Sequence, residues 1–316
     1  MDASAEDFTE AVRVIVQHFG GDVNDVSDGE TLLHKAAAAG STSMGAALLA
    51  AGSVDRADGD GDFALHYAAE GGHVEIARLL VNAGGDVNVR NASNNAPLHL
   101  AAFQGHAEVV RFLISAGANI NCVEDDGDTP LHDAARIKHG AEVMRLLLDA
   151  GCKVDVKDEN GAEPLHFAAE FGADEAIRCL LAFGADVNSV GGSWGTPLHA
   201  ALSHFGKRRT LAVLLEAGAT VDMEELSPIP RSTRRAKKWR YLDKVVAAGG
   251  YEHLARTYRR GLTAPRAGGG ARLPDAVPAA ALRPRRAARR RRARPGVLEA
   301  AGRTVTCELC AGLNMK

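Results

Sequence analysis

Residues 96–121 read APLHLAAFQGHAEVVRFLISAGANIN. Pro97 suits a first helical position, where the missing N–H would have found no partner anyway. The run Leu98-His99-Leu100-Ala101-Ala102 then makes a short helix with small residues where another helix must come close. After Gly105, the apolar residues Val109, Phe112 and Leu113 return at helical spacing. Gly117 stands where a left-handed residue ends a helix, and N-I-N leads into a turn. The stretch predicts a helix–turn–helix unit.

That unit recurs along the chain. The first phrase is TLLHKAA at 31–37, FALHYAA at 63–69, APLHLAA at 96–102, TPLHDAA at 129–135, EPLHFAA at 163–169 and TPLHAAL at 196–202. Its histidines are His34, His66, His99, His132, His166 and His199, spaced 32, 33, 33, 34 and 33 residues apart. The second phrase is GHVEIARLLVNAGGDVN at 72–88, GHAEVVRFLISAGANIN at 105–121, GAEVMRLLLDAGCKVD at 140–155 and GADEAIRCLLAFGADVN at 172–188. One unit is too small to bury its own apolar side, so stacking must supply the other half.

Together the two phrases resemble the ankyrin-repeat family, whose signature is TPLHxAA followed by GHxEVVxLLLxxGADVN. The resemblance covers roughly residues 10–223. It implies an all-α solenoid of about six full repeats joined by β-hairpin-like loops. Residues 1–26 are expected to form an N-terminal capping half-repeat, carried by EAVRVIVQHFGGDVN (10–24), and residues 27–226 the six repeats. The family's histidine hydrogen-bonds between neighbouring loops, which gives the six repeat histidines a structural role. Phe63-Ala64 replaces Thr-Pro in the second repeat, and Ala96 and Glu163 replace Thr in the third and fifth. Losing such a cap costs about 0.5–2 kcal/mol, so softer repeats are expected there.

Composition separates the array from the C-terminal third. Residues 1–225 hold 15 Lys+Arg against 35 Asp+Glu, while residues 226–316 hold 22 against 5. Two stretches of such opposite charge should behave as different objects. Residues 227–262 read as a basic linker and two short helices broken at Gly249-Gly250, either a C-terminal cap on the last repeat or a separate docking element. Residues 263–316 are rich in Arg, Ala, Pro and Gly and are expected to be disordered. Their dense run carries Arg283, Arg285, Arg286, Arg289, Arg290, Arg291, Arg292 and Arg294. It reads as a nuclear-import or anionic-surface signal, as a competitor for the acidic array, or as solvated low-complexity sequence.

No residue set supports catalysis. The chain has no phosphate-binding G-x-x-x-x-G-K-[ST], no G-x-S-x-G and no H-E-x-x-H. Cys307 and Cys310 form one C-x-x-C pair, without the second pair or histidines a structural zinc site needs. Asp58, Asp60 and Asp62 have calcium-loop spacing, but no glycine follows Asp62, and Glu70 falls in the next helix. No cofactor or metal is expected. Five cysteines in 316 residues describe no disulfide framework. No run of 18 apolar residues exists, and the acidic N-terminus is no secretory signal. A monomeric cytoplasmic or nuclear protein is expected.

The resemblance implies that partners bind at hairpin tips and on the exposed side of the first helices. By position, the tips offer Asp60, Asp62, Ser93, Asn95, Asp126, Asp128, Asn160 and Trp194. The first helices offer Glu70, Phe103, Gln104, Arg136, Ile137, Glu170, Phe171 and His204. Phe103, Ile137 and Phe171 would form an apolar row ringed by carboxylates, and Trp194 is expected to have little core to reach. The function expected is a protein-binding scaffold for a basic partner. A substrate-recognition subunit of a ubiquitin ligase or other regulatory complex, or a nuclear regulator using the arginine run, is the alternative. Nucleic acid enters only through that run.

Overall fold

The computed structural model describes residues 23–24, 26–27, 29–137, 140–203, 208–221, 236–247 and 250. The chain divides into one unit spanning Met1–Gly268 and a second, Gly269–Lys316, which lies wholly outside the described residues. Also outside are residues 1–22 of the N-terminal half-repeat, His204 and residues 251–262. The arginine run and Cys307 and Cys310 fall within the second unit.

Two-residue strands β1 (Val26–Ser27) and β2 (Glu30–Thr31) pair antiparallel, with Val26 opposite Thr31. Helix pairs come next: α1 (Leu32–Ala38) with α2 (Thr42–Ala50), α3 (Ala64–Glu70) with α4 (Val74–Asn82), and α5 (Pro97–Gln104) with α6 (Ala107–Ser115). Then come α7 (Pro130–Ala135) with α8 (Ala141–Asp149), α9 (Pro164–Phe171) with α10 (Asp174–Ala182), and α11 (Pro197–Ser203) with α12 (Arg208–Glu216). Helix α13 (Ala236–Ala247) is the last. Each first helix packs on its own second helix and on the first helices of its neighbours. The second helices form a parallel row of contacts from α2 to α12, and α13 continues it by packing on α12.

The repeated phrase explains that stacking. Leu33, Leu65, Leu98, Leu131, Leu165 and Leu198 are buried, as are the alanine pairs that come after them. The alanines let neighbouring first helices approach, and each leucine adds roughly 1.5–3 kcal/mol by leaving water. Ile76, Leu80, Val109, Leu113, Met144, Leu147, Ile177 and Leu180 fill the space under the second helices. Gly84, after α4, has φ +99°, and the equivalent residue after each later second helix through α12 is also a left-handed glycine.

Between repeats the chain makes a short finger closed by one recurring backbone bond. Asp58 N donates to Asp62 O, Asn91 N to Asn95 O, Glu124 N to Asp128 O, Asp158 N to Ala162 O and Gly191 N to Gly195 O. Fingers also bond each other: Ala92 N to Asp60 O, Asp125 N to Ser93 O, and Glu159 N to Asp126 O.

At every one of the six first-helix starts, including Phe63, Ala96 and Glu163 where softer repeats are expected, the histidine three residues on closes one half of the cap. Its Nδ1 accepts the backbone N–H of Phe63, Ala96 and Glu163 at 3.0, 3.1 and 3.0 Å, as it does at Thr31, Thr129 and Thr196. Thr31 also takes a helix N–H on its hydroxyl, a long 3.4 Å bond from His34 N. The hydroxyls of Thr129 and Thr196 lie against Nδ1 instead, at 2.9 and 2.8 Å.

Candidate functional site

With Nδ1 accepting, each repeat histidine carries its proton on Nε2. That proton goes to the next finger: His34 to Arg56 O, His66 to Asn95 O, His99 to Asp128 O, His132 to Ala162 O and His166 to Gly195 O. These five histidines are buried and fully engaged, and they set the fingers at a fixed height over the first helices. Burial pushes the pKa of His66 and His166 down, and that of His99 and His132 down to about 4, so the imidazoles are neutral.

The fingers hold a few of the exposed carboxylates, and the second helices and the loops after them hold others, among them Glu75, Glu108, Glu142, Glu175 and Asp186. Asp60, Asp125, Asp126 and Glu159 are exposed, and Glu70 lies at the exposed end of α3. Asp58, within the calcium-like spacing, is consumed by the finger itself. Its Oδ1 accepts from Asp60 N and Asp62 N at 2.9 and 2.8 Å, and its Oδ2 from the Tyr67 hydroxyl at 2.6 Å. Asp62 is half-buried and accepts from Asn91 Nδ2 at 2.8 Å. Ser93 and Asn160 are exposed, and Asn95 is half-buried.

Along the first helices, Phe103 is 48% exposed, and Ile137 and Phe171 are half-buried. Gln104 is exposed and donates to Glu70 Oε1 at 3.4 Å.

Three expected partner contacts are corrected. Asp128 is only 2% exposed and Glu170 only 7%, so both are packed within the array and not offered to a partner. Asp128 is drawn inward by Arg136, and its Oδ1 is left buried without a hydrogen bond. Trp194, expected to lack a core, has one: the tight turn Gly192–Trp194 folds it back until its ring lies 5.0 Å from that of Phe167.

Arg136 is the hub of the fourth repeat. It bonds Asp128, donates from Nη1 to Asp133 Oδ1 at 3.2 Å, and places its guanidinium 4.5 Å from the Phe167 ring centroid. His132 meets the same ring edge-on at 5.6 Å. Burial raises the Asp133 carboxyl well above its ordinary value, with Arg136 opposing. Burial raises Asp128 too, against the same arginine.

Asp133 and Phe167 were missed by position. They occupy the variable place in LHxAA, filled by Lys35, Tyr67, Leu100, Asp133, Phe167 and Ala200. Variation at one register of an otherwise repeated phrase was the available signal.

None of the described cysteines is poised for nucleophilic chemistry. Cys122 Sγ lies 3.7 Å from His99 Nδ1, but burial pushes the thiol up to about 11 while the imidazole stays neutral. Among the described residues, no three His, Cys, Asp or Glu side chains are grouped to hold a metal ion. No described helix is long and apolar enough to cross a membrane.

A family model described as ankyrin repeats (3 copies) matches residues 1–91, 83–158 and 137–225. Comparison with curated proteins gives no match.

Proposed function

The chain belongs to the ankyrin-repeat family, whose members are protein–protein interaction frameworks, and on that premise we propose a non-catalytic scaffold that grips a basic partner. The observation that carries this reading is one combination. Exposed carboxylates on the fingers (Asp60, Asp125, Asp126 and Glu159) accompany apolar side chains that keep some exposure, Phe103 and Phe171 at the ends of their first helices and Ile137 just past α7. Interface hot spots commonly have an apolar anchor with a polar surround. The carboxylates speed encounter with a cationic surface and make it salt-sensitive.

The alternatives have less behind them. A docking role for residues 239–262 would use an apolar helix face, yet Leu242 and Val245 of α13 are already buried where it meets α12. A nuclear role rests on the arginine run, outside the described residues.

Panning a phage-displayed random peptide library against the full chain tests the proposal. Selected peptides should be rich in Lys and Arg. Their affinity should fall about tenfold in Asp125→Asn/Asp126→Asn and in Phe103→Ala. Selection of acidic peptides, or indifference to both variants, would overturn it.

A further inference from the structure

The repeats are not fastened to one another equally. In the loops that leave the second helices, asparagines bridge neighbouring repeats. Asn88 Oδ1 accepts from Asn119 N at 2.7 Å, while its Nδ2 donates to Gly117 O at 3.3 Å. Asn121 Oδ1 accepts from Lys153 N at 2.9 Å. Asn188 Oδ1 accepts from Thr220 N at 2.8 Å, and its Nδ2 donates to Gly218 O at 3.3 Å.

Between the fourth and fifth repeats that position is Asp155, which is exposed. A carboxylate has no N–H to give to a carbonyl. Its counterpart loop presents another acid, Asp186, whose Oδ1 already accepts from Asn188 N. Glu163 stands near both, and their charges add to the burial that raises its carboxyl, with Lys157 opposing.

A second fastening is also missing. His73 Nε2 donates to Ala38 O at 3.1 Å and His106 Nε2 to Glu70 O at 2.8 Å, tying each turn to the repeat before. In the fifth repeat that position is Ala173, whose side chain has no donor. Between the fifth and sixth repeats, Thr210 Oγ1 donates to Asp174 Oδ1 at 2.7 Å, and Arg209 pairs with Asp174 at 3.2 Å.

Arg145 of α8 reaches the Cys179 thiol of α10 between the second helices, and among the described residues the other polar ties between the fourth and fifth repeats lie at the fingers or first helices. They are His132 to Ala162 O, Glu159 N to Asp126 O, the exposed Lys157 to Val190 O, and Arg136 over Phe167.

We propose that this seam, which lacks both of the side-chain fastenings described above, divides the array into two blocks, repeats 1–4 and repeats 5–6, held together at the rear chiefly by apolar packing. In a nearest-neighbour stack, the weakest interface is where cooperativity fails. The consequence for binding rests on the proposed scaffold function. Phe103 and Ile137 belong to the first block, while Phe171 belongs to the second. A partner spanning them would set the angle between the blocks.

Equilibrium urea unfolding of the full chain tests the seam. Both tryptophans, Trp194 and Trp239, lie on its C-terminal side in the sequence, whereas far-UV circular dichroism reports on every helix. In the wild type, the tryptophan transition should come first, leaving helical signal that melts later. Asp155→Asn removes the charge that faces Asp186, keeps an acceptor for Asp186 N and adds a donor for Gly184 O. It should raise the tryptophan midpoint by roughly 0.5 M urea and merge the two transitions. Asp155→Ala, which removes the charge without building the bridge, should leave them apart. Coincident transitions in the wild type, no merging in Asp155→Asn, or equal merging in Asp155→Ala would each overturn the proposal. No ligand enters this measurement, so its failure leaves the binding proposal standing, and a failed peptide selection leaves the seam standing.

Discussion

The guanidinium of Arg136 covers the ring of Phe167 at 4.5 Å and so joins the fourth repeat to the fifth by a contact that neither repeat makes alone. The same group neutralises Asp128 and Asp133, both buried. Removing one partner of a buried pair strands the other's charge.

Arg136→Ala should therefore destabilise the chain by about 2–4 kcal/mol at pH 7, read from urea unfolding. The deficit should also depend on pH. Both carboxyls titrate above their unfolded values, so the folded state takes up their protons first as pH falls. Without Arg136 the shift grows, and acidification from pH 7 to 5 should narrow the gap to wild type. A gap that widens would contradict the buried-charge account.

His99 carries the opposite sign. Its folded pKa is lowered to about 4 by burial, so below the unfolded value of 6.5 the unfolded chain binds the proton first. Stability from this residue is present above 6.5 and is lost as pH falls toward 4, by on the order of 3 kcal/mol in full. His99→Gln should weaken the chain at pH 7 by about 1–3 kcal/mol, because two buried bonds go. It should then lose less than wild type between pH 6.5 and 4.5, measured by the same unfolding assay.

Two finger positions should respond in opposite directions. Asn94 has φ +61°, a conformation that glycine adopts more easily, so Asn94→Gly should stabilise by roughly 0.5 kcal/mol. Gly61 stands at the corresponding bend with φ +79°, and a Cβ there would meet Ala92 N at 2.5 Å. Gly61→Ala should cost about 1–3 kcal/mol and disturb the bond from Ala92 N to Asp60 O between neighbouring fingers. Thermal midpoints of the two variants separate the effects.

Cys122, Cys152 and Cys179 should resist alkylation in the native chain at pH 7.5. All three are buried, and burial raises Cys122 to about 11, Cys152 to about 12 and Cys179 in the same direction. Peptide-resolved mass spectrometry should find them modified only after unfolding in urea. Labelling of Cys122 in native buffer would mean that the His99 environment is open.

The repeat phrase alone specified the helix pairs and their stacking. A 33-residue period of Leu, His and paired Ala has few other ways to bury its apolar side. That Asp60, Asp125, Asp126, Glu159 and Phe103 keep their exposure follows from register within a repeat, which places a residue on a face. What register could not convey is which side chains on that face turn inward. Asp128 and Trp194 were read as free tips, yet Asp128 is held by Arg136 and Trp194 lies on Phe167. The weak seam at Asp155 likewise depends on which neighbour each loop residue reaches. Such pairings join residues about thirty positions apart across a repeat boundary. They are decided by the close approach of adjacent units, which exists only once the array has stacked.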